Sequence, residues 1–351
     1  MAITAVDSIT PALEHTKQQL FKPFNIGQWT KLAFVGLLAG ELGSNGCNRS
    51  NFQAPSHPGG GPHFPASIGI DHALLIALIV TGIIAAVAIG IILMYVGSVM
   101  RFVLFDSIIT RQCHIRWGWN RRLGPGWRYF AWKLLYALIS LAGIAVLVGM
   151  PLALAFAKGW LRAPKEHLPP LIFSGAIVFM VLLIFGVATA VILVLTKDFV
   201  VPQMALEDIG VMEGWRRLWL MMQREMGAYA AYLVMKIVLA IVAGIVIGIA
   251  TLIVGVIFVV PTAGLSILAV LTGKSAGLTW NAETIALAAV IACILLAIFL
   301  YLVSLVSVPA IVFFPAYSIY FFAGRYPRLA AALYPGSTAQ QIPAGGAPAT
   351  R

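Results

Sequence analysis

The chain has 351 residues, of which 61% are hydrophobic and only 10% are charged, and its mean hydropathy is +0.95. About a quarter of the residues of an ordinary soluble domain are charged, so this composition excludes a soluble globular protein and favours an integral membrane protein. The formal net charge of +11 does not indicate nucleic-acid binding, because the chain has no separate basic domain. It is typical of loops that face anionic lipid headgroups.

The N-terminal part of the chain predicts a retained N-terminus and a short first span. Residues 1 to 25 have no basic region followed by an apolar one, so we expect no cleaved signal peptide. The uncharged run from 32 to 40 would form only about 13 Å of helix. Extended over residues 26–43, with Lys31 reaching back to the surface, it is expected to cross a locally thinned bilayer. A half-inserted helix is the alternative.

The following segment, 44 to 70, is rich in Gly and Pro and contains Cys47, His57 and His63. The spacing of these side chains matches no compact metal-ligand pattern, so we expect a flexible connection and no metal site. The chain has three cysteines, an odd number that predicts no disulfide framework.

Five further segments are long and apolar enough to cross a bilayer, for which a helix needs about 20 residues. The predicted spans are 72–100, 132–157, 171–196, 229–260 and 284–308. The stretch from 262 to 283 is expected to form a short helix on the outer surface, with a re-entrant helix as the alternative. Residues 334–351 are small and polar and predict a disordered cytoplasmic tail.

The distribution of Lys and Arg predicts the orientation in the membrane. Eighteen of the 23 basic residues fall at the two termini and near residues 101–133 and 197–236, and five fall in the alternate connections. Because basic loops stay cytoplasmic, we expect both termini inside the cell, in the inner or plasma membrane. Two cytoplasmic termini require an even number of spans, which supports six.

An internal repeat suggests how six spans are arranged. Lys31, Lys133 and Lys236 each begin an apolar run that reaches an Ala-Gly pair two to three turns later, and the glycines of these pairs are 103 and 101 residues apart. The ordered combination predicts three tandem hairpins in parallel orientation.

Residues 214 to 219, GWRRLW, lie between two apolar runs and predict an interfacial helix. Glu213 stands three and four residues before Arg216 and Arg217, the favourable order for ion pairs on a helix. The apolar residues form one helical stripe, so we expect the indoles at headgroup depth and the guanidinium groups in contact with phosphate and water. The stripe is Val211, Met212, Trp215, Leu218, Trp219 and Met222.

Together with the similar segment near residue 120, this helix predicts a lipid-facing collar on the cytoplasmic side. A role in anchoring is the simplest interpretation, and recognition of a defined headgroup or a soluble partner is the alternative. The predicted collar comprises Trp117, Trp119, Arg121, Arg122, Trp127, Arg128, Trp215, Arg216, Arg217 and Trp219.

The predicted span cores contain no ionisable side chain, although ion-coupled transporters usually place such groups there. Small residues recur at helix-packing spacing and predict a tight bundle; they include Gly82, Ala86, Gly90, Gly244 and Gly248. No nucleophile elbow, phosphate-binding loop or paired-carboxylate site is found in the sequence. We therefore expect no enzymatic activity, no cofactor and no metal.

The connection FVVPQMALEDIGVMEGWRRLW and the final aromatic segment FFPAYSIYFF resemble those of uncharacterised prokaryotic multipass membrane proteins. Over about residues 8 to 330 the chain also resembles the membrane domain fused to some bacterial glycerophosphodiester phosphodiesterases. The soluble phosphodiesterase barrel has no counterpart here, so the resemblance transfers no active site. It implies a membrane module that assists an enzyme or a lipid assembly.

The sequence thus predicts an all-α polytopic membrane helix bundle, forming a single domain over residues 1–333. The expected function is that of a non-catalytic scaffold or accessory module whose partners are anionic membrane lipids. A transporter or channel for a neutral or apolar solute is the alternative.

Overall fold

The structure, a computed structural model, describes residues 4–22, 24–41, 72–160, 168–275 and 281–334. These ranges are almost entirely helical and contain no β-strand. The helices are α1 (Ile9–Phe21), α2 (Ile26–Leu38), α3 (His72–Ile109), α4 (Ile115–Ala157), α5 (Leu168–Leu195), α6 (Val201–Glu207), α7 (Val211–Arg224), α8 (Met226–Ser275), α9 (Ala282–Ala323) and α10 (Pro327–Leu333), with a π-helical turn, Thr196–Val200, between α5 and α6.

Within the described ranges, five helical segments are long and apolar enough to cross a membrane. This finding confirms an all-helical membrane protein. The sixth predicted span, 26–43, is not among the five, since α2 has 13 residues and is therefore about 20 Å long, shorter than a hydrocarbon core of about 30 Å. The five segments are Ile79–Ile109, Ile115–Ala157, Leu168–Glu207, Met226–Gly273 and Thr284–Ala323.

The molecule has two zones, which we call the base and the apolar layer. In the base, α1, α2, α6, α7 and α10 pack around one end of each long helix, and its buried side chains form the main core. In the apolar layer, the remaining parts of the long helices expose aliphatic side chains such as Ile172, Ile257 and Ile84. No residue in the most apolar window of any span is buried inside the protein, so lipid is the solvent this layer requires.

The centre of the base is aromatic. Phe199, in the π-helical turn, lies within 6 Å of the rings of Tyr229, Tyr232, Phe321 and Phe322, and all five side chains are buried. Aromatic pairs at such distances are worth about 0.5–1.5 kcal/mol beyond their area burial. These ring contacts hold the π-helical turn against the first turns of α8 and the last turns of α9.

Contacts between α1 and α9 place the N-terminal helix at the same end as the last turns of α9. The Tyr317 hydroxyl donates to the Ala5 carbonyl at 3.1 Å, and the His15 ring contacts Tyr320 edge to face. Glu41 lies in the base and His72 lies at the far end of the 38-residue helix α3. Glu41 and His72 therefore lie at opposite ends of the long helices. The residues between them lie outside the described ranges.

Two predicted boundaries are wrong because helices continue through them. The segment near residue 120 is no separate interfacial helix but the first part of α4, which runs unbroken from Ile115 to Ala157. The stretch from 262 is no outer surface helix, since α8 continues to Ser275. By contrast, GWRRLW lies in a separate helix, α7, bounded by Gly210 and Glu225. The predicted flexible loop 44–70 and tail, 335 onward, lie outside the described residues.

The predicted helix-packing residues do not make close contacts within the chain. A Cβ added at Gly82, Gly90 or Gly248 would meet no atom within 4 Å, while Ala86 is exposed and Gly244 is half-buried. Gly82, Gly90 and Gly248 therefore do not show the predicted close packing within one chain, because each faces open space in the apolar layer.

The tightest approaches occur in the base. A Cβ on Gly97 would lie 2.6 Å from the Leu38 carbonyl oxygen, and one on Gly126 would lie 2.7 Å from the Val99 side chain. Only glycine permits the backbones of α2, α3 and α4 to approach this closely.

Candidate functional site

A buried ionic cluster lies where the base meets the apolar layer. The Glu41 side chain is fully buried and accepts hydrogen bonds from the Arg101 guanidinium and from Lys197 Nζ at 2.5 Å. Arg101 also donates to the Ala39 carbonyl at 2.8 Å. These contacts join the end of α2 to α3 and to the π-helical turn.

The second half of the cluster is centred on Asp198, the residue that follows Lys197. Its carboxylate accepts hydrogen bonds from the Lys236 ammonium and from the Tyr232 hydroxyl at 2.9 Å. Lys197 and Asp198 are adjacent in the π-helical turn, so one turn supplies a cation to Glu41 and an anion to α8. Single π turns of this kind are found mostly at functional or strained sites.

The cluster places ionisable groups within the candidate spans, outside the uncharged cores that the sequence predicted. Arg101, Lys197, Asp198 and Lys236 all lie within candidate spans, and the side chain of each is no more than 14% exposed. The sequence did not indicate the cluster, because each of these residues stands at one end of an uncharged run. In the sequence such a residue looks like a solvated helix end.

The geometry of the cluster suits a structural cross-link. Its charges lie in mutual contact, and the adjoining cavity, lined by Arg101, Lys197 and Asp198, has a volume of only about 20 Å³. That space is enough for about one water molecule. Because breaking a buried pair leaves an uncompensated charge, such clusters hold their helices in one arrangement.

The predicted collar separates into an outward and an inward set. In the outward set, Trp117, Trp127 and Trp219 are 56%, 59% and 49% exposed. The Arg121 guanidinium lies over the Trp117 ring at 4.9 Å, and the Arg216 side chain is 74% exposed. These side chains are on the surface of the base.

The inward set corrects the prediction that the whole collar faces lipid. The Trp215 indole donates to the Thr196 hydroxyl at 3.1 Å, and Trp119 packs edge to face on Tyr95. Arg122 is 11% exposed. The predicted apolar stripe on α7 does not face one environment. Val211 and Leu218 are buried in the base, whereas Met212 and Trp219 are exposed.

Several collar arginines are engaged by carboxylates. Arg122 binds both oxygens of Asp106, at 2.7 and 2.6 Å, and donates to the Ala205 carbonyl. Its fork geometry allows this bidentate contact. Arg128 lies 3.2 Å from the Asp208 carboxylate in a largely exposed pair.

The two arginines of GWRRLW form the helical ion pairs that the sequence predicted. Arg216 and Arg217 both donate to Glu213, and these hydrogen bonds lower the pKa of the Glu213 carboxyl. Arg217 also donates to Glu207 at 2.8 Å, and the hydrogen bonds that it donates to Glu207 and Glu213 raise the pKa of its guanidinium. Arg217 thus ties α7 to α6, while Arg216 remains at the surface.

Other candidate ligands do not assemble into a metal site in the described ranges, where no group of three or more His, Cys, Asp or Glu side chains is suitably placed. Cys113 is buried and free, and burial raises the pKa of its thiol. Cys47, His57 and His63 lie outside the described residues.

Comparison with known proteins places this structure in a family. No curated protein and no solved structure matches the chain. One family model matches residues 3–332, a range that contains every described helix up to Ala332, the ionic cluster and the collar. The chain belongs to that family, DUF7544, which is described as a family of unknown function.

Proposed function

We propose that this protein is a non-catalytic membrane scaffold whose base lies at the cytoplasmic surface of the cell membrane, with both termini inside. Two termini on one side require an even number of crossings, so the proposal includes one crossing beyond the five spans of the described residues. The outward collar residues would contact anionic headgroups, and the apolar layer would cross the bilayer. The 18 basic residues in segments assigned to the inner side, against five in the alternate connections, support this orientation.

The observation that carries the proposal is the ionic cross-linking of the base. Glu41, Asp106, Asp198 and Glu207 each pair with a cation from another helix. These ion pairs hold distant parts of the chain against one another and make the base a rigid platform. A rigid platform is what a protein that presents a surface to partners requires.

A transporter or channel for a neutral or apolar solute is the alternative. The two roomier cavities, of about 640 and 440 Å³, are lined by base residues such as Lys22 and Arg111 in the first and Trp117 and Ser107 in the second. Neither is lined by residues of the apolar layer. Their position favours a scaffold with surface-binding sites over a path across the membrane.

The resemblance in the sequence suggests what the scaffold serves. We propose that the base supports an enzyme or assembly that acts on lipids, as implied by the likeness to membrane domains attached to glycerophosphodiester phosphodiesterases. No residue of an active site is transferred by this proposal.

Solute permeability distinguishes the two functions. The purified protein is reconstituted into vesicles, and swelling is followed by stopped-flow light scattering with glycerol and with urea. A scaffold leaves the rates equal to those of protein-free vesicles. Rates that rise in proportion to the amount of protein would establish the transporter and overturn the scaffold.

A further inference from the structure

A polar cavity of about 640 Å³ lies in the base between α1, α2 and the link from α3 to α4. Three of the residues that line it are cationic, Lys22, Lys31 and Arg111, and none is a carboxylate. Elsewhere in the base, cations such as Arg122 and Arg217 are satisfied by Asp or Glu. A cavity with cationic walls and no acidic residue is complementary to an anion.

The backbone around this cavity reinforces its positive potential. Helix α2 begins at Ile26, after the N-cap Asn25, and α4 begins at Ile115, after His114. Both capping residues line the cavity, so two helix N-termini border the same space. Each contributes the positive end of a helix dipole. At α2 the Asn25 side chain already accepts from the Gly27 N–H at 2.9 Å.

Hydrogen bonds between its walls hold the cavity in shape. Gln28 of α2 donates to the Arg111 carbonyl at 2.8 Å, and Arg111 donates to the Gln18 side chain of α1 at 3.1 Å. Gln19 donates to the Ser107 carbonyl at 3.0 Å. Gln19 is 5% exposed, and its Oε1 accepts no hydrogen bond of good geometry in the described part of the chain, although the His15 ring lies close enough to interact with this side chain. This buried acceptor suits a ligand that carries a hydroxyl group beside its anionic group.

Three exposed apolar side chains stand next in sequence to residues that line the cavity, and we call these three its rim. Phe21, Phe24 and Ile26 are 52%, 59% and 64% exposed, and they alternate in sequence with the cavity residues Lys22 and Asn25. Exposed aromatic and aliphatic side chains beside lysine are typical of surfaces that enter the headgroup region of a membrane. A soluble phosphate would leave this rim in water, whereas acyl chains would cover it.

We propose that this cavity binds the phosphate of one anionic phospholipid with a hydroxylated headgroup, such as phosphatidylglycerol, with its acyl chains against the rim. Lys22, Lys31 and Arg111 contact the phosphate, and the two helix N-termini stabilise its charge. The inference rests on the cytoplasmic placement of the base proposed above, but not on the scaffold function. It adds a defined site to the surface contacts of the collar.

The test measures lipid retained by the full chain. The protein is placed in phosphatidylcholine nanodiscs with increasing phosphatidylglycerol, and native mass spectrometry counts bound phosphatidylglycerol. The double variant Lys22→Gln, Lys31→Gln is expected to weaken the tightest binding event by about 30-fold, since each arginine or lysine near an anionic surface contributes about a factor of five. The variant Lys22→Arg, Lys31→Arg is expected to retain it.

A matched variant, which we call the α7 variant, carries Arg224→Gln on α7 and Lys17→Gln on α1. It removes the same charge from exposed positions outside the cavity and the collar and is expected to leave the tightest event unchanged. Equal losses in the two glutamine variants, or no loss in the lysine variant, would overturn the cavity site. A loss in the α7 variant alone would overturn it while leaving the collar function intact. Displacement of phosphatidylglycerol by millimolar glycerol 3-phosphate would show a soluble phosphate to be the ligand and overturn the lipid assignment.

Discussion

Glu41 and Arg101 are 60 residues apart in the chain, and their side chains form an ion pair in which the carboxylate is fully buried. The same carboxylate binds Lys197, 156 residues away. This single acidic side chain therefore joins α2, α3 and the π-helical turn, and it determines how the N-terminal helices sit against the bundle.

Replacing Glu41 by alanine should destabilise the protein strongly. The change leaves Arg101 and Lys197 buried without their carboxylate, and breaking a buried pair from one side costs about 3–5 kcal/mol. Thermal unfolding in detergent, followed by intrinsic fluorescence, measures the effect. Glu213→Ala is the control, because it removes only exposed pairs, which contribute little to stability. Equal melting temperatures for the two variants would contradict the structural role of the cluster.

We expect the stability of the protein to depend on glycine at position 97 but not on glycine at position 90. An alanine Cβ at 97 would lie 2.6 Å from the Leu38 carbonyl oxygen, and one at 90 would meet no atom within 4 Å. Gly97→Ala should cost about 1–3 kcal/mol by forcing α2 away from α3. Gly90→Ala should gain up to about 1 kcal/mol of helix propensity. Destabilisation by Gly90→Ala would instead indicate close packing of the apolar layer.

The two tryptophans of GWRRLW should differ in their surroundings. Trp215 is hydrogen-bonded to Thr196 inside the base, and Trp219 is 49% exposed. In variants that keep only one of them, with the other tryptophans replaced by Phe, lipids brominated near the headgroup should quench Trp219 more strongly than Trp215. The same quenching of both indoles would contradict the division of the collar into outward and inward sets.

Stability should fall in mild acid because of His15. Its Nδ1 lies 3.2 Å from the Tyr320 hydroxyl, and burial, followed by the charge of Arg111, lowers the pKa of its imidazole. Above the unfolded pKa of about 6.5 both states are neutral and stability is complete. As pH falls below that value, the unfolded chain binds a proton that the native state resists, so stability is lost.

The melting temperature of the wild type should therefore decrease between about pH 7.5 and 5.5 more than that of His15→Gln. Tyr320→Phe, which keeps the ring buried, is expected to retain the dependence. Parallel pH profiles for the wild type and His15→Gln would contradict the assignment to His15.

The long helices and the Glu213 pairs could be predicted from the sequence because both depend on local patterns. Charge-free runs identify spans by length alone, and Glu213, Arg216 and Arg217 lie within one helical turn. The base could be predicted only in part. Its ion pairs join residues such as Glu41 and Lys197, whose proximity depends on packing that no periodicity encodes.

The small-residue pattern failed for a related reason. Spacings such as Gly82–Ala86–Gly90 bring small side chains onto one helix face, but a face of that kind is compatible with lipid as well as with another helix. Close approaches occur instead at glycines such as Gly97, Gly126 and Gly143, none of which belongs to the predicted set. Their neighbours come from other helices and carry no signal near them in the sequence.

Site-directed labelling tests the central claim, that the base lies at the cytoplasmic surface beneath five membrane-crossing helices. In a background with Cys47, Cys113 and Cys293 replaced by alanine, single cysteines are placed at Arg224, in the base, and at Lys158, beyond the far end of α4. A membrane-impermeant maleimide added to intact cells should label Lys158→Cys and should reach Arg224→Cys only after permeabilisation. Labelling of Arg224→Cys in intact cells, with Lys158→Cys protected, would contradict the account.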